Sequence, residues 1–444
     1  MSETFHLILR GGACATPSGL VQTDIGVRGG KIAAIGDLGR ATATEIFDVK
    51  GLHVLPGVID GHVHFREPGG EHKEDFSTGS AAAALGGVTA VFEMPNATPS
   101  TVGAAELADK CRRAKDRAWV DMAFFVGATG ENIAELSDLE QLQACAGVKI
   151  FMGSSTGSLL VEDDATLAAV LASGTRRAVV HCEDEGRLNA RKSLLGDAPD
   201  VAMHSMWRDA EAAAMAARRL VGLARGVGRR VHIAHASSGL EMEAVKDYHD
   251  IATIEVSPHH LSLVAPDAYA QHGTRVQVNP PIREQRDVDA LWRAVAMGLV
   301  DTIGSDHAPH AADEKDVAYP NSPSGLPGVQ TLVPVMLTHV NAGRLSLERF
   351  VDLTSAGPAR VFGIAGKGRI ALGYDADFTI VDLAVKRTIT NRWIVSRCGW
   401  TPFDGFKAKG WPVATVVRGH TVARDGALVG EPVGTSVQFL ETLQ

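Results

Sequence analysis

Short apolar runs rich in β-branched residues alternate with alanine-rich stretches through the middle of this 444-residue chain. The runs are Val54–Ile59, Val88–Met94, Val120–Val126, Val148–Met152, Ala178–Val180, Val231–Ala234, Thr253–Val256 and Val300–Ile303. Their length and composition predict buried strands, and Thr78–Leu85, Ala104–Ala114 and Glu211–Ala224 between them carry helical patterning. Eight strand-then-helix units across residues 57–364 predict a (β/α)8 barrel of the TIM type. The ends read differently. Residues 1–56 are short strands with glycine turns (Phe5–Arg10, Ile25–Arg28, Lys31–Ile35), and residues 365–444 return to that character in Asp377–Asp382, Ala414–Arg418 and Thr421–Ala423. The expected architecture is therefore α/β: a barrel with a small β-sandwich domain built from both termini.

Composition narrows the function classes. Hydrophobic content of 45% and charged content of 21% suit a soluble globular protein. A net charge of −9 without any Lys/Arg block argues against a nucleic-acid partner. Any anionic substrate then needs a locally basic site within an acidic molecule. No apolar run reaches membrane-spanning length, so no membrane association is expected. The opening residues show no basic start and apolar core of a secretory leader, and a cytoplasmic location is expected. Five scattered cysteines, none in a C-x-x-C pair, agree with a reducing compartment.

The densest chemistry lies in His62-Val63-His64-Phe65-Arg66-Glu67-Pro68-Gly69. Residues i and i+2 of a strand share a face, so His62 and His64 aim two imidazoles at one spot, which suits zinc. Arg66 continues the alternation and sets a planar cation beside them, fitted to grip a carboxylate. Barrel active sites form at the C-terminal ends of the strands. There the fourth strand carries Lys149, the fifth ends in His181, the sixth in His235 and the eighth in Asp306. One strand-end histidine is an ordinary hydrogen-bonded residue; four with an aspartate around one rim predict a metal site. Lys149 is out of place among cations. Repulsion and desolvation favour its neutral amine, which can add carbon dioxide and bridge two metals as a carbamate.

His-Val-His-Phe-Arg-Glu-Pro-Gly, Met94-Pro95-Asn96, Asn279-Pro280-Pro281-Ile282-Arg283 and Ser305-Asp306-His307-Ala308-Pro309-His310 occur in this order, and the chain resembles the dihydroorotases of the cyclic-amidohydrolase superfamily. The resemblance spans nearly the whole chain and implies reversible conversion of L-dihydroorotate to N-carbamoyl-L-aspartate, a step of pyrimidine biosynthesis. By it, His62, His64, His181, His235 and Asp306 match metal ligands. Arg66, Asn96 and His310 match the residues that hold the substrate carboxylate, and Asn279 matches a ring contact. It implies two Zn2+ per chain bridged by carbamylated Lys149. Many bacterial members instead use an aspartate in the loop after strand four. Here that loop reads Gly153-Ser154-Ser155-Thr156-Gly157, with no carboxylate before Glu162, which favours the lysine.

Amide hydrolysis by such a site needs a bridging hydroxide formed near neutral pH and Lewis-acid contact with the carbonyl. Asp306 is then the general acid/base, its pKa depressed by bound metal. Expected partners are the small anionic substrate, a second copy of the chain in a homodimer or larger homo-oligomer, and aspartate transcarbamoylase. Allantoinases and hydantoinases would share the barrel and metals, but hydantoinases are not expected to carry an arginine after His-x-His. A non-catalytic scaffold for aspartate transcarbamoylase would lose metal ligands, and here every matched ligand is present. His232, three positions before His235, is expected to face the opposite side. His259, His260 and His307 are expected to support rather than ligate, and Cys182 has no base beside it. The Pro-, Gly- and Ser-rich stretch 310–328 is a candidate cover for the site.

Overall fold

In the computed structural model, which describes residues 4–154 and 159–443, the central runs form eight parallel strands hydrogen-bonded in sequence order. They are Val58–Val63, Val88–Glu93, Asp121–Gly127, Cys145–Phe151, Ala178–His181, Val231–Ile233, Ala252–Val256 and Thr302–Ile303. A bridge between Val63 and His307, with the His64 N–H donating to the His307 carbonyl at 2.7 Å, joins the last strand to the first. The result is the expected barrel.

Its interior follows from side-chain alternation. Ala90, Phe92, Met94, Ala123, Phe125, Val179 and Ala234 point inward and pack against Phe362 and Phe439, which floor the barrel. On the outer face Val91, Val148 and Val180 join a second core with helix residues such as Leu220 of Ala210–Val227.

The run Val54–Ile59 is not one strand. His53–Pro56 pairs antiparallel with Phe378–Thr388, whereas Val58 begins the barrel, so the chain changes sheets at Gly57. A Cβ at Gly57 would stand 2.3 Å from Thr89 Oγ1, and only glycine allows the crossing. Both ends of the chain then share one nine-stranded sheet. Leu7, Ile25 and Phe47 from the N-terminal part pack with Phe378, Ile380 and Val416 from the C-terminal part, so the sheet closes on a core of its own. Buried Lys367 ties it to the barrel, 2.7 Å from Asp121 at the start of the third strand and 2.6 Å from Asp377.

The strands Phe378–Thr388 and Lys407–Val417 run longer than their apolar patterning, and the segment between them reaches the barrel rim. There the Trp400 Nε1–H donates to the His310 carbonyl at 2.8 Å, Ser396 donates to Glu74, and Gln330 Nε2 donates to the Trp393 carbonyl at 2.8 Å. Among the described residues no helix is long and apolar enough to cross a membrane.

Candidate metal centre and active site

His62 Nε2 and His64 Nε2 lie 3.4 and 3.2 Å from Asp306 Oδ1, and one ligand atom of each residue falls within 4.8 Å of the others. Beside them His181 Nδ1 faces His235 Nε2 at 3.1 Å, and the His62 and His235 rings are 5.1 Å apart. Lys149 stands among them fully buried, and its Nζ has no hydrogen-bond partner among the described residues. All six residues expected at the metal site are thus brought together.

The outer nitrogens show why the inner ones are available. His62 Nδ1 donates to Glu255 Oε1 at 2.8 Å, His64 Nδ1 to Asn96 Oδ1 at 2.7 Å, and His181 Nε2 to Glu183 Oε2 at 2.9 Å. An acceptor on one ring nitrogen keeps the proton there and leaves a lone pair on the other. Burial also lowers the pKa of all four histidines, that of His62 to about 4. Neutral imidazoles and a carboxylate fit a cationic group at this point, whereas an ammonium on Lys149 would repel one and its neutral amine would not. Burial lowers Lys149 to about 8, so about one-tenth of it is neutral at pH 7. Burial raises the Asp306 carboxyl above its ordinary value, an effect that His62 and Lys149 oppose. The depressed value expected for Asp306 belongs to the metal-bound state, where a cation would add to that opposition.

The rim is shaped by bent strand ends, not by strand alternation. The first strand stops at Val63, and Arg66 has a left-handed backbone (φ 62°), so its side chain is aimed by that turn. His235 (φ 36°) and Asp306 (φ 46°) are bent the same way. Non-glycine residues adopt this region at a cost and mostly where surrounding contacts enforce it. The same bend corrects the reading of His232. It points into the barrel, its Nδ1 2.8 Å from Thr253 Oγ1 and its ring against Phe362, so it supports the site from below instead of facing outward.

Arg66 Nε donates to the Pro309 carbonyl at 3.1 Å, and its Nη2 lies 3.3 Å from His310 Nε2. Both side chains are buried, and Lys73 Nζ sits 3.1 Å from His310 Nδ1 and 2.9 Å from Glu314 Oε1, so two cations and one carboxylate flank His310. Asn96 is engaged with His64, and Asn279 with His204 at 2.9 Å. The Cys182 thiol is buried and pushed well above its usual range, which agrees with no nucleophilic role. Stretch 310–328 is fastened down, with Lys315 Nζ donating to the Gln277 and Pro323 carbonyls at 3.1 and 2.7 Å. In the loop after strand four, Ser154 N–H donates to Glu185 at 2.6 Å, whereas Ser155, Thr156 and Gly157 lie outside the described residues.

Sequence reasoning missed Glu255, Glu183 and His204. The first had a signal: a lone carboxylate between Ile254 and Val256 in an otherwise apolar strand. Glu183 follows His181 by two residues and also pairs with buried Arg208. His204 had no signal.

Residues 53–422 match the model of the Amidohydrolase family. The chain belongs to that family. This amidohydrolase is 37% identical to a dihydroorotase of Methanothermobacter thermautotrophicus, covering 92% of this chain and 93% of that one. It is 34% identical to an allantoinase of Deinococcus radiodurans across 97% and 98% of the two chains. Among solved structures it resembles the L-hydantoinase of Arthrobacter aurescens, with a TM-score of 0.93 and 31% identity over 98% of this chain and 99% of that one.

Proposed function

We propose that this amidohydrolase is a dihydroorotase that interconverts L-dihydroorotate and N-carbamoyl-L-aspartate. The observation that carries the reading is the buried Arg66–His310 pair directly beside the His/Asp cluster. A desolvated guanidinium needs an anion, and dihydroorotate has a carboxylate that allantoin and hydantoin lack.

In this reading His62, His64, His181, His235, Asp306 and a carbamate of Lys149 would hold two zinc ions. The neutral Lys149 amine adds carbon dioxide and releases one proton to form that carbamate. Bound zinc supplies a nucleophile at neutral pH and polarises the ring carbonyl. The protein's own part is then positioning and proton transfer. Arg66, His310 and Asn96 fix the carboxylate and orient the ring, and Asn279 meets its far side. Asp306 takes the proton from the attacking water and delivers it to the ring nitrogen as the C–N bond breaks; the steps reverse in ring closure. Glu255 and Glu183 hold His62 and His181 in the tautomers that face the cluster.

The proposal also takes residues 1–56 with 365–444 as one structural unit and 57–364 as the catalytic one, in a cytoplasmic homo-oligomer that can associate with aspartate transcarbamoylase. The allantoinase relative makes ring specificity the point to test. Pure protein is incubated in parallel with dihydroorotate, allantoin and dihydrouracil. Turnover of dihydroorotate at the highest kcat/KM is the expected result, and preference for a ring without a carboxylate would overturn it.

A further inference from the structure

His204, on the short helix His204–Trp207, is buried and uncharged, and its hydrogen bonds define its tautomer. Its Nε2 lies 3.2 Å from the Val278 carbonyl and 2.9 Å from the Asn279 side-chain oxygen. The backbone carbonyl can only accept, so Nε2 must carry the proton. The other nitrogen, Nδ1, is then an acceptor, and the Tyr319 hydroxyl from stretch 310–328 stands 3.3 Å away to donate to it. With Nε2–H donating, the Asn279 atom that meets it must be the amide oxygen. The Asn279 Nδ2 makes no hydrogen bond among the described residues. The next residue, Pro280, accepts through its carbonyl from His260 Nε2 at 2.9 Å.

We propose that His204 is a positioning residue that turns the Asn279 amide so that its N–H group, and not its oxygen, meets the substrate ring. The inference rests on the dihydroorotase reading, which puts Asn279 against the ring, and deepens it by assigning which ring atom is read. An amide N–H recognises an acceptor, so the partner is the ureido carbonyl that hydrolysis leaves intact, not a ring N–H. Left unheld, an asparagine amide can present either end, and half of its orientations would oppose two donors or two acceptors. Tyr319 makes this orientation depend on the seating of stretch 310–328.

The test measures kcat and KM for dihydroorotate, with bound metal, in wild type, His204→Phe, His204→Gln, Asn279→Leu, Asn279→Asp and the double variant His204→Phe/Asn279→Leu. His204→Phe and Asn279→Leu should each raise KM roughly tenfold, the scale of one hydrogen bond, with metal content unchanged. The double variant should be no worse than Asn279→Leu alone, because His204 acts only through Asn279. His204→Gln, which keeps an N–H donor, should recover part of the loss. Asn279→Asp should be at least as poor as Asn279→Leu, since it turns an oxygen toward a carbonyl. Additive losses in the double variant, or near-normal KM in Asn279→Asp, would overturn the proposal. Should His204→Phe fail to fold, the Asn279→Asp result decides alone. A wild type that opens a different cyclic ureide refutes the dihydroorotase reading instead, and the same variants then test His204 on that ring.

Discussion

Replacing Glu255 with glutamine changes one charge and almost no volume at the point where the barrel interior meets the metal ligands. Glu255 Oε1 accepts from His62 Nδ1 at 2.8 Å and from the His235 N–H at 3.2 Å, with both histidines buried. Glutamine can keep that acceptor oxygen, so the geometry of both bonds survives. What is lost is the carboxylate's charge. Charge-assisted hydrogen bonds are about twice as strong as neutral ones, a difference of about 1–1.5 kcal/mol for the His62 bond. The new amide group has little room to relax, because a Cβ on Gly304 would lie 2.3 Å from the oxygen it replaces. Outer partners of metal-binding histidines generally contribute tenfold to hundredfold in metal affinity, or about 1.4–2.7 kcal/mol. The two estimates overlap at the lower end, so Glu255→Gln should bind metal about tenfold more weakly. Dialysis against a graded chelator, followed by metal analysis and circular dichroism, measures this directly. Activity should return with excess zinc. If the variant melts early yet holds metal as tightly as wild type, Glu255 serves only the fold and the argument from His62 fails.

Arg66→Ala should lower kcat/KM for dihydroorotate by on the order of several kcal/mol in transition-state terms while metal content stays constant; normal turnover would remove Arg66 from the carboxylate site. Lys149→Ala should lose activity and regain part of it with short carboxylic acids, whereas full activity without them would exclude a bridging carbamate. Acid should destabilise the fold through histidines outside the metal set. Burial lowers His204 to about 3 and His260 and His339 to about 4. Below about pH 6.5 the unfolded chain protonates these groups and the folded chain does not, so stability falls by about 1.4 kcal/mol per histidine per pH unit until the folded pKa is reached. Chemical denaturation between pH 7 and 5 checks it, and a flat profile would show that these rings take up protons without unfolding.

Much of the fold was legible because buried strands of a parallel barrel are continuous apolar runs, and eight of them leave few alternatives. The placement of His62, Lys149 and His181 followed from the same pattern, since each lies within its strand. Where the chain leaves the strand, parity stops being a guide. Arg66 and His235 are aimed by left-handed turns, and His232 therefore pointed where alternation from His235 did not predict. The sheet change at Gly57 was hidden for a similar reason: Val54–Ile59 is equally apolar on both sides of the crossing. Glu255 and His204 were missed because their roles rest on contacts with residues distant in sequence, which no local spacing encodes.

The aromatic floor of the barrel has a consequence for how the chain is made. Phe439 and Val437 pack with Ile59, Ala90 and Phe92, which a ribosome delivers far earlier. A nascent chain can therefore display all eight strands and still have an unfilled hole through its middle. Contacts that span so much sequence form slowly, and the apolar lining stays open to wrong partners in the interval. Final closure of this barrel waits on Val437 and Phe439, and its yield in a cell should follow the supply of chaperones that shield the lining until those residues arrive.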